Sequence, residues 1–149
     1  MTELNNEILI SGKIEDIWNV LNTVDILDQY DPTVKKSVAT SKNKTGLGAS
    51  RKVDMKDGKN WFEEKCTISE PNKTLQFELT ACSFPVHSLN HTYSFEQNGS
   101  QVKVKQVMKY QMKFGHLGRI MDFLMVKKQS NKGIRLFLAG LKNHIEKNK

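Results

Sequence analysis

Long apolar runs, cysteine and arginine are all scarce in this chain. No hydrophobic stretch approaches the roughly 20 residues of a membrane-spanning helix. Met1 to Ile10 lacks the basic patch and apolar stretch of a secretion signal, so the expected location is the cytoplasm. Only Cys66 and Cys82 carry thiols, and without export both are expected to be reduced. Nothing stands at a Cys-x-x-Cys or Cys-x-x-His distance from either, which argues against a zinc site. Walker and Gly-x-Ser-x-Gly sequences are missing, as is any Cys/His/Asp set at a useful spacing. Gly46-Leu47-Gly48 is a lone Gly-x-Gly that precedes a strand pattern instead of opening a helix, so it is no dinucleotide fingerprint. The expectation is a protein without metal or cofactor.

What is present is an ordinary globular composition with a basic balance. The 149 residues suit a single domain spanning 1–149, and 38% hydrophobic content supports a proper core. Lys and Arg number 23 against 16 acidic residues, a net charge of +7, with arginine only at positions 51, 119 and 135. The lysines are scattered and do not alternate with aromatics, which argues against nucleic acid as partner. A solvated surface is the plainer reading; the charge also permits membrane contact without insertion.

The periodicity runs strand, short helices, many strands, long helix. Glu3 to Ile10 reads as a strand, with Ser11 as helix cap. Ile14, Ile17, Trp18 and Leu21 come next at helical spacing. Asp25 is placed to cap a second short helix through Tyr30, stopped by Asp31-Pro32 because a residue before proline leaves the helical region. From Val34 to Met112 the pattern is strand. Asp57-Gly58 and Asn98-Gly99 mark tight hairpins, and Glu70-Pro71-Asn72-Lys73 a looser turn. Leu117, Met121, Leu124, then Ile134, Leu138, Leu141 and Ile145 return to helical spacing. Lys127 to Lys132 interrupts that stripe, and Gly133 is a candidate bend.

Turns set register, and register decides which side chains share a face. The first hairpin places Met55 near Asn60, Val53 near Phe62 and Arg51 near Glu64. The Pro71 turn places Ile68 by Leu75, Cys66 by Phe77 and Glu64 by Leu79. The Asn98-Gly99 hairpin pairs Phe95 with Val102, Tyr93 with Val104 and His91 with Gln106. Arg51, Glu64, His91 and Gln106 then form a polar belt on the inward face, beside an apolar wall of Val53, Phe62, Leu79, Tyr93 and Met108. Charge inside is costly unless paired, so a sheet with this belt is expected to line a cavity. Tyr110 from the last strand and Met121 and Leu124 from the helix complete the candidate ligand-binding set.

The belt has a structural and a functional reading: an Arg51–Glu64 ion pair with a His91–Gln106 hydrogen bond, or groups that orient a ligand head or move protons. Arginine holds a neighbouring carboxylate ionised, so Glu64 is a poor general acid and His91 the better proton carrier. His87 and His91 share a face by parity, but lie about 13 Å apart along a strand, too far for one metal ion. His116 and His144 read as surface or helix-end residues, and Tyr93 and Tyr110 as core aromatics.

Several of these patterns, in order, resemble the START-related helix-grip superfamily in its polyketide cyclase/dehydrase and lipid-transport branch. Ile14 to Leu21 with Trp18 is similar to its first helix, and Tyr30-Asp31-Pro32-Thr33-Val34 to its step into the second strand. Gly46-x-Gly48-x-x-Arg51 and Asp57-Gly58 resemble the third strand's entry and following turn. Gly115-His116-Leu117-Gly118 to Asp122, and Leu141-Lys142 to Glu146, resemble the two ends of its long helix. Tyr30 stands where the family often has Trp. The resemblance implies an α+β helix-grip fold: a seven-stranded curved antiparallel sheet around a long C-terminal helix, with two short helices after strand 1. It carries over no catalytic residue.

Three functions remain open from sequence. One is a binder or carrier of a small hydrophobic or amphipathic molecule, such as a lipid, isoprenoid or aromatic polyketide-like compound. Another is a cyclase or dehydratase using His91 with Arg51 or Glu64. The third is a basic interaction module with a vestigial cavity. Oligomeric state is not legible.

Overall fold

The computed structural model describes residues 1–147. Strand β1 (Thr2–Ser11) leads into helix α1 (Ile14–Asn22) and a 3-10 turn (Val24–Gln29). Six more strands come next: β2 (Val34–Ala39), β3 (Ser50–Met55), β4 (Trp61–Glu70), β5 (Thr74–Cys82), β6 (Val86–Asn98) and β7 (Gln101–Met112). The last elements are α2 (Gly115–Met121), a π-helical turn (Asp122–Val126) and α3 (Lys127–Lys147). The seven strands form one antiparallel sheet in the order β1-β7-β6-β5-β4-β3-β2. Strands adjacent in sequence pair, except that α1 and the 3-10 turn carry the chain from one sheet edge to the other. This is the helix-grip fold.

Alternation explains the sheet's two faces. Leu75 and Phe77 of β5 are buried, while Glu78 between Phe77 and Leu79 is exposed. Register shifts in the β2–β3, β4–β5 and β6–β7 pairs mark bulges, which raise local twist and help curve the sheet. α3 lays Ile134, Phe137, Leu138, Leu141 and Ile145 into the concave side. Ile17, Trp18 and Leu21 of α1 join the same core.

Several expectations shift. Ser11 is the last residue of β1, and Lys13 precedes α1 with no side-chain cap. Asp25 lies inside the 3-10 turn and pairs with Lys44 at 2.8 Å instead of capping. The β3–β4 register is as expected, with Arg51 opposite Glu64 and Val53 opposite Phe62. A bulge between Cys66 and Ile68 moves Ile68 opposite Gln76 rather than Leu75. Asn98 pairs with Gln101, so Gly99-Ser100 is the connecting loop, with Gly99 at φ 66°. His91 therefore faces Met108, Tyr93 faces Gln106 and Phe95 faces Val104, two residues from the expected pairing. An even slip keeps every side chain on its face.

α3 runs unbroken through Gly133; the irregularity is the π-helical turn nearer its start. A π turn inserts one residue, rotating the earlier helical turns by about 100° relative to the later ones. That rotation turns Leu117, Met121 and Leu124 away from the face on which Ile134 and Leu138 are buried.

Gly140 shows where α3 meets the link between the 3-10 turn and β2. A Cβ there would lie 2.0 Å from the Tyr30 carbonyl oxygen, whereas one at Gly133 would meet nothing within 4 Å. Gly140→Ala is therefore expected to destabilise by about 1–3 kcal/mol through overpacking. Gly133→Ala is expected to stabilise by about 1 kcal/mol through helix propensity. Urea unfolding of both variants checks the opposite signs.

Candidate functional site

A cavity of about 470 Å³ lies between the concave sheet and α3. That is the size at which proteins hold small organic ligands. Of the residues expected there, Arg51, Phe62, Glu64, Leu79, His91, Tyr93, Gln106, Met108 and Tyr110 line it. Three do not. Val53 has 0% exposure and belongs to the core. Met121 and Leu124 are turned to solvent by the π turn, at 36% and 66% exposure. Sequence reasoning missed the helix side of the wall, where Val126, Gln129, Ser130, Ile134 and Phe137 stand. It also missed Phe84 and Pro85 of the β5–β6 connection and Val86 at the start of β6. Phe137 was findable, three residues after Ile134 on the same helical stripe.

The polar belt is a wired network. Glu64 Oε1 accepts from Arg51 Nε at 2.8 Å and lies 2.7 Å from Nη2. Glu64 Oε2 lies 2.8 Å from His91 Nε2. His91 thus bonds Glu64 and not Gln106, because the hairpin register carries Gln106 past it to Tyr93. The Arg51 guanidinium also sits 4.6 Å from the centre of the Phe77 ring, a cation–π contact. His91 stacks on Tyr93, with ring centres 6.2 Å apart. His87 does not share the inward face: a bulge between Val86 and Ser88 turns Val86 inward and leaves His87 exposed.

Burial and charge set the protonation of these groups. Burial alone would raise the Glu64 carboxyl, but Arg51 and His91 more than offset it and hold its pKa down at about 2. An ionised Glu64 can only accept, so the His91 Nε2 carries the proton toward it. Burial pushes the Tyr93 phenol well above its usual range, so its hydroxyl stays protonated. Asp31 at the cavity edge is raised by burial, although it accepts bonds from the Thr33 amide at 2.9 Å and hydroxyl at 2.7 Å.

One polar atom on the wall stands alone. Gln106 is 1% exposed, and its Oε1 has no hydrogen-bond partner among the described residues. A buried orphan acceptor costs about 1–3 kcal/mol unless something in the space beside it donates. At the cavity's other end, the Tyr110 hydroxyl donates to Asp122 Oδ1, and Thr2 Oγ1 donates to Asp122 Oδ2 at 2.6 Å. These bonds pin the π turn against β1 and β7.

A long helix gripped by a curved sheet, with a mixed-polarity hollow between them, defines a START-like architecture. The chain belongs to the polyketide cyclase/dehydrase and lipid transport family, whose model matches residues 1–146. No curated protein shows a significant sequence match. Among solved structures, it is similar to TTHA0849 from Thermus thermophilus, at TM-score 0.83 and 16% identity, covering 99% of each chain. It is also similar to a START superfamily protein from Mycobacterium smegmatis, at TM-score 0.79 and 12% identity, covering 99% of each chain. A third is the di-domain ARO/CYC BexL of the BE-7585A biosynthetic pathway, at TM-score 0.78 and 14% identity. That match covers 98% of this chain but 47% of BexL. At these identities the likeness shows the fold. Family and fold together support ligand binding or cyclase-type roles.

The network generates a stability prediction with a definite sign. Glu64→Gln leaves the Arg51 charge buried without a counterion, and is expected to cost about 3–5 kcal/mol at neutral pH. Because the folded carboxyl lies below its ordinary value of 4.5, its ionisation stabilises the fold fully above that value. The contribution is lost as pH falls toward about 2. The wild-type advantage over Glu64→Gln should shrink across that interval in chemical-denaturation curves taken at successive pH values.

Proposed function

We propose that this protein binds one small amphipathic molecule in the cavity, apolar over most of its length and carrying an uncharged polar head. The observation that supports it most directly is the buried, unpartnered Gln106 Oε1 among walls formed by Phe62, Leu79, Leu89 and Met108. Those walls favour a hydrocarbon or aromatic body. Glu64 already neutralises Arg51. The cavity therefore favours a hydroxyl-type donor over an anionic head. A lipid, isoprenoid or aromatic polyketide-like molecule with one such group fits this description.

The test uses 2-naphthol and naphthalene as probes, with native mass spectrometry of the purified protein in parallel. 2-Naphthol should bind, and Gln106→Leu should weaken it about five- to tenfold while leaving naphthalene unchanged, as expected for one lost hydrogen bond. Met108→Trp should fill the cavity and abolish both. A protein that takes up neither probe and carries no co-purifying ligand would overturn the reading.

A second reading rests on the 2.8 Å contact between His91 and Glu64 in the cavity wall. An imidazole backed by a carboxylate can take a proton from a carbon beside a carbonyl, as cyclase or dehydratase chemistry requires. If the protein is such an enzyme, His91→Gln should abolish turnover of a polyketide-like substrate while binding persists. Turnover that survives the substitution excludes His91 as the proton carrier.

A further inference from the structure

The start of the C-terminal helix is the least expected surface of this molecule. Leu117, Ile120, Met121 and Leu124 recur at the helical spacing that normally marks a buried stripe. Here the stripe faces outward: Leu117 is 62% exposed, Leu124 66%, and Phe123 beside it 84%. Phe114 and Met125 extend the same exposed patch. Only Gly118 of α2 is buried, where a Cβ would lie 2.0 Å from the Lys113 carbonyl oxygen. The helix is therefore held by a narrow line of contact, with most of its circumference free. Soluble proteins rarely leave such a patch without a partner.

The charges around the patch identify that partner. Residues 113–132 contain five cations, Lys113, Arg119, Lys127, Lys128 and Lys132, against the single carboxylate of Asp122. Arg119, Lys127, Lys128 and Lys132 are exposed or partly so, around the apolar stripe. Asp122 is held by Thr2 and Tyr110, and even with its charge counted the segment is net positive, five cations against one carboxylate. A second copy of this chain would bring the same cations face to face with these. An anionic lipid surface offers both complements at once: negative headgroups for the lysines and an acyl boundary for the leucines and phenylalanines. No helix of the described residues is long and apolar enough to cross a membrane, so the segment would lie in the interface.

We propose that α2 and the π turn form an interfacial docking helix that seats the protein on anionic membranes. Val126 at the end of this segment and Gln129 just after it line the cavity, so docking sets its helical wall beside the lipid. The docking does not depend on what the cavity holds.

Sedimentation with vesicles of phosphatidylcholine alone, and of phosphatidylcholine with roughly 30–40% phosphatidylglycerol to supply a strong negative surface potential, tests this on the full chain. Binding should require the anionic lipid. It should fall about tenfold or more in Phe123→Ser/Leu124→Ser and in Lys127→Glu/Lys128→Glu, because either complement alone is insufficient. These positions are solvent-exposed, so thermal melts should match wild type. Trp emission from Phe123→Trp should shift to the blue on vesicle addition. Three results would overturn the proposal. One is no binding to anionic vesicles. Another is binding that Phe123→Ser/Leu124→Ser leaves intact, which would assign it to the diffuse +7 charge. The third is a concentration-dependent dimer, seen by light scattering, that Phe123→Ser dissolves.

Discussion

Arg51 and Glu64 face each other across β3 and β4, at 4% and 1% exposure, in the wall of a largely apolar cavity. Neither charge could be kept there alone. The guanidinium also lies over Phe77 of β5, and the carboxylate reaches His91 of β6. A single ion pair therefore ties together four neighbouring strands. Arg51, Glu64 and His91 satisfy one another, so the apolar side chains beside them can pack without leaving a buried charge unpaired. Gln106 is the exception: its Oε1 has no hydrogen-bond partner among the described residues.

The same pair was legible in the residues alone, and the reason is local. Asp57-Gly58 sets a turn whose geometry propagates only a few residues to Arg51 and Glu64, too short a path for error to accumulate. Asn98-Gly99 propagates as far, but its loop sits one residue later, which moves His91 from Gln106 to Met108. The inward faces survived because the slip was even. Odd slips are what bulges produce, and the bulge before Ser88 is why His87 was misplaced. Nothing in the residue types there announces it.

The helix side of the cavity was the least legible part. Periodicity states that Leu117, Met121 and Leu124 share a stripe; it does not state what the stripe faces. The π turn at Asp122–Val126 decides that, and it is stabilised by bonds to Thr2 and Tyr110, which belong to other elements. The consequence is a C-terminal helix with two characters. Its later turns form the roof of the core, while its first turns carry apolar side chains that the core does not use. Gln129 and Ser130 lie at the changeover, in the first turn of α3, and line the cavity there.

The place of β1 bears on how the molecule is made. The first strand pairs along its whole length with the last, Thr2 opposite Tyr110 and Ser11 opposite Gln101. α3 then leans on the same strand, through Asn6 to Asn131 and Lys142 to the Leu9 carbonyl. During synthesis the strand therefore has no lasting partner until roughly a hundred more residues have been added. Contacts so far apart in sequence slow the search for the native state. Until β7 arrives, an amphipathic strand must wait unpaired. In a growing chain it is this waiting strand, more than the cavity, that needs protection from its neighbours.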